Sequence, residues 1–233
     1  AVDFGDMTVG ASSSAALGSR TRFIQAGGFM QGNSIGDRIE MNIFSSQGNA
    51  IDFGDLMEAN EASSGVTDGV RGVFMGGGNP SPTGGNRIQY ITVDTLGDAI
   101  DFGDTTHSWY AGFGFSNTVR GIAGGGNTPD SPNNMNTGLD VITIRTTGNA
   151  TEFGDLTLNS GGRYAAGGSS NSTRGLIAGG NPETETVDFV TIQSEGNAID
   201  FGDLLTSIQA TDGCSDLTRG VFGGGEDSPT SIN

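Results

Sequence analysis

Several residue types that serve particular chemistries are scarce or absent in this sequence. It has no lysine among its 233 residues, one cysteine (Cys214) and one histidine (His107). The lack of lysine excludes Schiff-base chemistry and a Walker-type phosphate loop, because both depend on a lysine side chain. One cysteine cannot form an intrachain disulfide, and one histidine with one cysteine cannot build a His/Cys metal cluster. Oxygen-ligand metals stay possible on these counts, but each repeat lacks the ladder of Asp and Asn residues that a dedicated calcium loop provides, so we expect no cofactor and no metal centre.

Positive charge and long apolar runs are also scarce. The chain carries 27 acidic residues against 10 basic ones, all of them arginine, for a formal net charge of −17. Such a surface repels nucleic acid and anionic lipid head groups, so we expect neither a nucleic-acid partner nor membrane insertion. A membrane-spanning helix requires about 18 consecutive apolar residues, and the sequence has no such run. The first residue is Ala1 rather than Met, and we expect the sequence to be a segment of a longer chain.

A repeat of about 49 residues organises the sequence. The tetrapeptide Asp-Phe-Gly-Asp, with one Glu-Phe-Gly-Asp variant, occurs five times. Its phenylalanines are Phe4, Phe53, Phe102, Phe153 and Phe201, and its final aspartates are Asp6, Asp55, Asp104, Asp155 and Asp203. We divide a single domain, residues 1–233, into repeats 1–49, 50–98, 99–149, 150–197 and 198–233. A period of this length favours propeller blades over most solenoid units.

Two further markers accompany the tetrapeptide. An arginine follows it by about 18 residues and leads into apolar residues and glycines; these arginines are Arg22, Arg71, Arg120, Arg174 and Arg219. A run that alternates apolar and polar residues, such as 88–93, is followed by Gly-Asn or Gly-Asp in four of the repeats. The alternation predicts a half-buried strand, and the Gly-Asn or Gly-Asp dipeptide predicts a tight reversal into the strand that carries the tetrapeptide. With one more strand before the arginine, we expect four strands in each repeat.

The paired glycines at Gly77-Gly78, followed by an aromatic residue in the next strand at Tyr90, resemble the kelch motif; the tetrapeptide phenylalanine stands where kelch repeats usually have tryptophan. The cadence Gly-Asn-Ala-x-(Asp/Glu)-Phe-Gly-Asp, then Thr-Arg-Gly, then Gly-Gly-Gly, is also similar to repeats of structural or tail-fibre proteins of marine bacteriophages, notably cyanophages. The resemblance implies an all-β, kelch-like β-propeller of about five four-stranded blades. We expect the N-terminal strand to close the last blade, although the alternating strand of the fifth repeat is absent from the sequence.

The tetrapeptide is predicted to serve the fold rather than a reaction. We expect its phenylalanine to fill the core between blades and its glycine to allow close packing. Because the arginine recurs in step with the final aspartate of the tetrapeptide, we also predict a ring of five equivalent Arg–Asp contacts. Breaking one such contact would cost about 3 kcal/mol if the pair is partly buried.

The third repeat contains the strongest candidate for a ligand site. His107, Trp109 and Tyr110 lie close together, followed by Phe113 and Phe115. Aromatic rings beside carboxylates and amides can stack on the apolar face of a sugar, so we predict that His107, Trp109 and Tyr110 bind a ligand. Period-2 spacing gives a competing interpretation, which we favour, in which Trp109 and Phe113 form the buried face of a strand.

No catalytic residues are singled out, because the carboxylates recur regularly and no nucleophile motif accompanies His107. We therefore expect a non-enzymatic protein. The resemblance to bacteriophage repeats implies a virion structural or host-attachment module, similar to a tail-fibre protein, at a virion surface or otherwise extracellular. Its partners would be other virion proteins or a host surface glycan, and a homo-oligomer is compatible with this role. The alternative is a soluble carbohydrate-binding lectin propeller, and a glycosidase is a third option.

Overall fold

The computed structural model of the protein describes residues 3–78, 85–128, 135–157 and 162–226. All regular secondary structure in these ranges is β-structure. The strands of the first repeat and the start of the second are β1 (Ala11–Ser12), β2 (Ala15–Gly18), β3 (Arg22–Ala26), β4 (Phe29–Met30), β5 (Ser34–Ile35), β6 (Arg38–Ile43) and β7 (Ile51–Asp55). The next four strands are β8 (Ser64–Thr67), β9 (Arg71–Met75), β10 (Gly85–Thr92) and β11 (Ile100–Trp109).

The remaining strands repeat this pattern. They are β12 (Phe113–Ser116), β13 (Arg120–Gly124), β14 (Gly138–Thr143), β15 (Thr151–Asp155), β16 (Gly167–Ser170), β17 (Arg174–Ala178), β18 (Thr184–Thr191), β19 (Ile199–Ile208), β20 (Asp212–Ser215) and β21 (Gly220–Gly223). They complete four antiparallel sheets of four strands, with the orders β2-β3-β6-β7, β8-β9-β10-β11, β12-β13-β14-β15 and β16-β17-β18-β19. A two-stranded sheet, β20-β21, follows, and β1, β4 and β5 form a small separate sheet. The fold is therefore all-β and propeller-like.

The innermost strands line one cavity, here called the central cavity. β2, β8, β12, β16 and β20 each contact the next in this order. The cavity has a volume of about 460 Å³ and is lined by residues from 13–16, 62–65, 111–114, 165–168 and 210–212. Equivalent segments of all five repeats therefore face one axis.

A ladder of backbone hydrogen bonds joins these segments around the axis. Two positions before the start of each innermost strand, a residue has a left-handed conformation with φ between 52° and 55°. These residues are Ser13, Ala62, Ala111, Ala165 and Ala210. The N–H of each of the last four donates to the carbonyl oxygen of its predecessor, at 2.6 to 2.9 Å. Within the described ranges no equivalent bond joins Ser13 to Ala210, so closure of the ring by the N-terminal segment stays a prediction.

A second ladder runs at the other end of the innermost strands. The hydroxyl of Ser116 donates to the carbonyl oxygen of Thr67 at 2.7 Å, that of Ser170 to Ser116 at 2.8 Å, and that of Ser215 to Ser170 at 2.6 Å. Because each hydroxyl is on the last residue of an innermost strand, β8, β12, β16 and β20 are tied at both ends. The cavity wall is thus held by bonds that recur from repeat to repeat.

Each of the first four tetrapeptides is held by the next Gly-Asn or Gly-Asp turn along the chain. At the first junction the N–H of Gly48 donates to Phe4 O at 2.9 Å, the Asn49 Oδ1 accepts from the N–H of Asp6 at 3.0 Å, and the N–H of Ala50 donates to Asp6 O at 2.8 Å. The same three bonds recur at the next three junctions, with turns at 97–99, 148–150 and 196–198. The tetrapeptide glycine is required here.

A side chain on that glycine would collide with the turn. Gly54 has φ +151°, and a Cβ on it would lie 2.4 Å from the carbonyl oxygen of Gly97. Phe53, Phe102 and Phe153 are each 3% exposed, packed against apolar residues of the following sheet. Phe4 and Phe201 are 39% and 55% exposed, so burial meets our expectation only at the three inner copies.

The predicted ring of Arg–Asp contacts is wrong. Among the described residues none of the five arginines forms an ion pair with a tetrapeptide aspartate, and Arg22 and Arg120 pair with Asp94 and Glu195 instead. The tetrapeptide aspartate of the same sheet is also out of reach: Arg71 pairs in register with Thr92 on β10, whereas Asp104 pairs with Arg87 on the same strand. Those positions are five residues apart on β10, which is about 16 Å along a strand. The arginine reaches the following repeat instead: the Nη1 atoms of Arg22, Arg71 and Arg120 donate to the carbonyl oxygens of Val93, Ile144 and Ile192 at 2.9, 3.1 and 3.3 Å.

Candidate functional site

One position next to the cavity-lining segments has an equivalent place in every repeat, while its side chain is of four different types across the five repeats. It immediately precedes the left-handed residue, and its occupants, here called the mouth residues, are Ser12, Glu61, Tyr110, Tyr164 and Gln209. Isolated antiparallel bridges hold four of the mouth residues; the pairs are Glu61–Gly78, Tyr110–Asn127, Tyr164–Asn181 and Gln209–Glu226. Tyr110, for example, exchanges two backbone hydrogen bonds with Asn127, at 3.0 and 2.8 Å. A rigid frame therefore presents variable side chains.

The mouth residues influence one another electrostatically. Burial raises the pKa of the Tyr110 phenol, and Tyr164 and Glu61 raise it further, because a negative charge on any of the three disfavours another. Burial also raises the pKa of the Glu61 carboxyl. Tyr110 therefore remains protonated at neutral pH, and its hydroxyl can donate a hydrogen bond to a ligand.

Amide groups continue the polar lining beside the two tyrosines. The side-chain amide of Asn181 donates to Gln209 Oε1, and Gln209 Nε2 donates to Glu226 Oε2 at 3.0 Å. Asn181 is also the backbone bridge partner of Tyr164. The mouth thus combines two phenols, carboxylates and amides on equivalent backbone positions, which suits recognition of a ligand with several hydroxyl or amide groups.

The structure separates the three residues predicted from the third repeat. Trp109 is fully buried, and its ring lies close to Gly76 and Gly112. Its ring faces are therefore closed to a sugar, which corrects its assignment as a ligand-binding residue and agrees with the alternative interpretation as a core residue. Tyr110, the next residue, is half-buried at the mouth, because successive side chains of a strand point to opposite sides.

His107 lies elsewhere, in a hydrogen-bonded chain with Thr106 and Asp140. It is exposed, and its Nδ1 is 2.8 Å from Thr106 Oγ1. The Thr106 hydroxyl donates to Asp140 Oδ1 at 2.6 Å, and the N–H of Thr106 donates to Asp140 Oδ2 at 2.9 Å. Burial raises the pKa of Asp140, and the Thr106 hydrogen bonds oppose that effect.

Asp140 has structural counterparts in other repeats, so the hydrogen bonds among His107, Thr106 and Asp140 do not indicate catalysis. Glu40, Gln89 and Asp188 occupy equivalent buried positions on the third strand of each sheet. Glu40 Oε2 accepts from the N–H of Thr8 at 3.2 Å, and Gln89 Oε1 accepts from the N–H of Met57 at 2.9 Å. In each repeat the buried polar residue therefore binds the segment that follows the preceding tetrapeptide.

Sequence reasoning missed Glu61, Tyr164 and Gln209. A signal was present: with the repeats aligned on their tetrapeptides, and three extra residues allowed in the fourth repeat, the mouth residue is followed by alanine in four of five repeats. That stretch has neither period-2 alternation nor a glycine turn, so nothing in its pattern marked it as ordered.

Metal and membrane sites were also sought. Within residues 3–78, 85–128, 135–157 and 162–226, no group of three or more His, Cys, Asp or Glu side chains is placed to hold a metal ion. The same part of the chain has no helix long and apolar enough to cross a membrane.

Comparison with known proteins is informative about the fold. No known protein family and no curated protein matches the sequence. The solved structure of YjhT matches 94% of this chain and 74% of its own, with a TM-score of 0.75 and 9% sequence identity. At this identity the likeness shows a common fold alone.

Proposed function

We propose that the chain is a non-enzymatic binding module built on a kelch-like propeller of about five blades, and that its ligand surface is the mouth of the central cavity. One observation carries this proposal. The mouth residues immediately precede the left-handed residues of one hydrogen-bonded ladder, yet across the five repeats their side chains are of four different types, with tyrosine twice. Side chains that vary on a fixed frame are typical of recognition surfaces.

The biological setting we propose is a virus particle, where the module would be a structural or host-attachment component at the virion surface or otherwise outside the cell. This part rests on the resemblance of the repeat to those of bacteriophage structural and tail-fibre proteins. Its partners would be other virion proteins or a host surface glycan. The net charge of −17 supports a partner that is neutral or basic rather than a nucleic acid.

A carbohydrate-binding lectin is the second candidate, and the proximity of Tyr110, Tyr164 and Glu61 favours it. Tyrosine offers an apolar ring face for a pyranose and a hydroxyl for its polar groups. The carboxylate and the neighbouring amides could accept and donate further hydrogen bonds to sugar hydroxyls.

A glycan array with the purified chain tests the two candidates. Glycan binding that is lost in Tyr110→Ala and Tyr164→Ala, and retained in the exposed-turn control Thr147→Ala, would support the lectin. Incorporation into virions in a fixed ratio, without glycan binding, would support the structural role. Binding that is unchanged in both tyrosine variants would overturn the mouth as the ligand surface.

A further inference from the structure

The fifth tetrapeptide, Asp200–Asp203, lacks the contact that holds the other four. At each of those four, a Gly-Asn or Gly-Asp turn makes three backbone-directed hydrogen bonds to the tetrapeptide. A Cβ on Gly5, Gly54, Gly103 or Gly154 would lie 2.2 to 2.4 Å from an atom of such a turn. A Cβ on Gly202 would meet nothing within 4 Å. Among the described residues, none therefore takes the place of the turn at Gly202.

The side chains around Gly202 are exposed in the same way. Phe201 is 55% exposed, although it keeps an edge-to-face contact with Phe189 in its own sheet, at 6.1 Å between ring centroids. At one of the buried copies, Phe102 packs against Ile142, Ile144 and Ala150 of the β14–β15 hairpin of the following sheet. Counterparts of those three residues are missing at Phe201 within the described ranges.

Arg174 and β21 show the same vacancy. Arg174 is exposed and lies over the Phe189 ring, 5.0 Å from its centroid, whereas Arg120 donates to Ile192 O in the following repeat. β21 pairs only with β20, whereas the equivalent strand of each complete sheet pairs on both edges, within the ranges that the structure describes. One surface therefore contains four features that lack, among the described residues, the partners their counterparts have. They are Phe201, Gly202, Arg174 and the free edge of β21.

We propose that this surface is an acceptor for a β-hairpin of the same repeat type. Its first strand would pair antiparallel with β21 and present alternate apolar side chains to Phe201, as Ile142 and Ile144 do to Phe102. Its turn would be Gly-Asn-Ala or Gly-Asp-Ala. The turn glycine N–H would donate to Phe201 O, the Asx side chain would accept from the N–H of Asp203, and the alanine N–H would donate to Asp203 O.

A second folded copy of this chain does not supply that hairpin. The sequence has four turns of this type, at 48–50, 97–99, 148–150 and 196–198, and each is already docked within the chain. The occupant is therefore a hairpin from a further repeat, outside residues 3–226. The established junctions define its chemistry, because the same partners recur at all four.

A synthetic peptide with the sequence of residues 138–155, which form the β14–β15 hairpin, tests the proposal. We expect saturable one-to-one binding to the full chain by fluorescence anisotropy. Gly202→Ala should weaken binding at least about tenfold, because the new Cβ would collide with the incoming turn. Gly196→Ala is the matched control: Gly196 has φ +150° and open space around it, and it does not face the vacant site. It should bind the peptide as wild type does.

Two further variants separate docking from misfolding. A peptide with alanine in place of Asn149 should bind more weakly to the unchanged chain, because it loses the acceptor for the N–H of Asp203. Arg174→Gln should also weaken binding while leaving the thermal unfolding midpoint of the chain unchanged. Absence of peptide binding to the wild-type chain, or equal binding to Gly202→Ala, would overturn the proposal.

Discussion

The N–H of Ala111 donates to the carbonyl oxygen of Ala62 at 2.9 Å, and both alanines have left-handed backbone conformations. An L-residue in this conformation costs roughly 1–2 kcal/mol relative to right-handed backbone. The ladder around the cavity keeps it there in five repeats, because each link needs the N–H and C=O directions that this conformation provides. The cost is therefore intrinsic to the frame that displays the mouth residues.

Replacing Ala111 by glycine should relieve part of that cost. The gain is offset by the larger conformational entropy that glycine loses on folding, about 0.5–1 kcal/mol. We expect Ala111→Gly to leave the free energy of unfolding unchanged or to raise it by up to about 1 kcal/mol in urea denaturation. Ala123→Gly, at a fully buried residue of β13, is the control and should destabilise. A clear loss of stability in Ala111→Gly would contradict this account of the ladder.

The sequence predicted those parts of the fold that depend on local pattern. The period, the alternating strands, the turns after them and the burial of Phe53, Phe102 and Phe153 follow from spacing and residue type. The prediction of an Arg–Asp ring was wrong, because the partners of the arginines do not follow from local pattern. Recurrence in step fixes neither register nor distance, and the register puts Arg71 and Asp104 near opposite ends of β10.

The candidate site was predicted only at Tyr110. Clustering along the sequence suggested that His107, Trp109 and Tyr110 act together, but strand geometry sends them to different surroundings. The mouth is assembled from residues about 50 positions apart, such as Glu61, Tyr110 and Tyr164. Such a site is visible only after the repeats are placed around an axis.

The steric fit of the tetrapeptide glycine can be measured by a matched pair. Gly103 and Gly202 have φ +150° and +142°, but a Cβ would lie 2.4 Å from Gly148 O at Gly103 and would meet nothing at Gly202. We expect Gly103→Ala to lower the free energy of unfolding by about 3 kcal/mol or more, and Gly202→Ala by only about 1 kcal/mol. Equal losses in guanidinium denaturation would show that backbone conformation, and not the turn, requires glycine.

A buried ion pair replaces the tryptophan in the fourth repeat. Arg163, at the position of Trp109, donates from Nη2 to Asp188 Oδ2 at 3.0 Å, and both side chains are fully buried. Arg163→Met should cost about 3–5 kcal/mol, because it leaves the Asp188 carboxylate buried without its cation. The double variant Arg163→Met/Asp188→Asn should recover part of that loss. Additive losses in a double-mutant cycle would show that the two side chains are not coupled.

The second repeat offers a test by pH, because it alone has an aspartate where the other docked turns have asparagine. Asp98 Oδ1 accepts from the N–H of Asp55 at 3.1 Å. Burial and then the neighbouring carboxylates Asp37, Asp98 and Asp52 raise the pKa of Asp55, against an opposing effect of Arg38. A carboxyl whose pKa is raised by folding destabilises the folded state as pH rises through that pKa.

Asp98→Asn keeps the acceptor oxygen and removes one negative charge. We expect its urea midpoint to exceed that of wild type at pH 7 and the two to converge at about pH 3, where the carboxyls are largely protonated. Asp94→Asn, which removes an exposed charge from the same loop, is the control. An equal difference between Asp98→Asn and wild type at both pH values would show that the effect is not electrostatic.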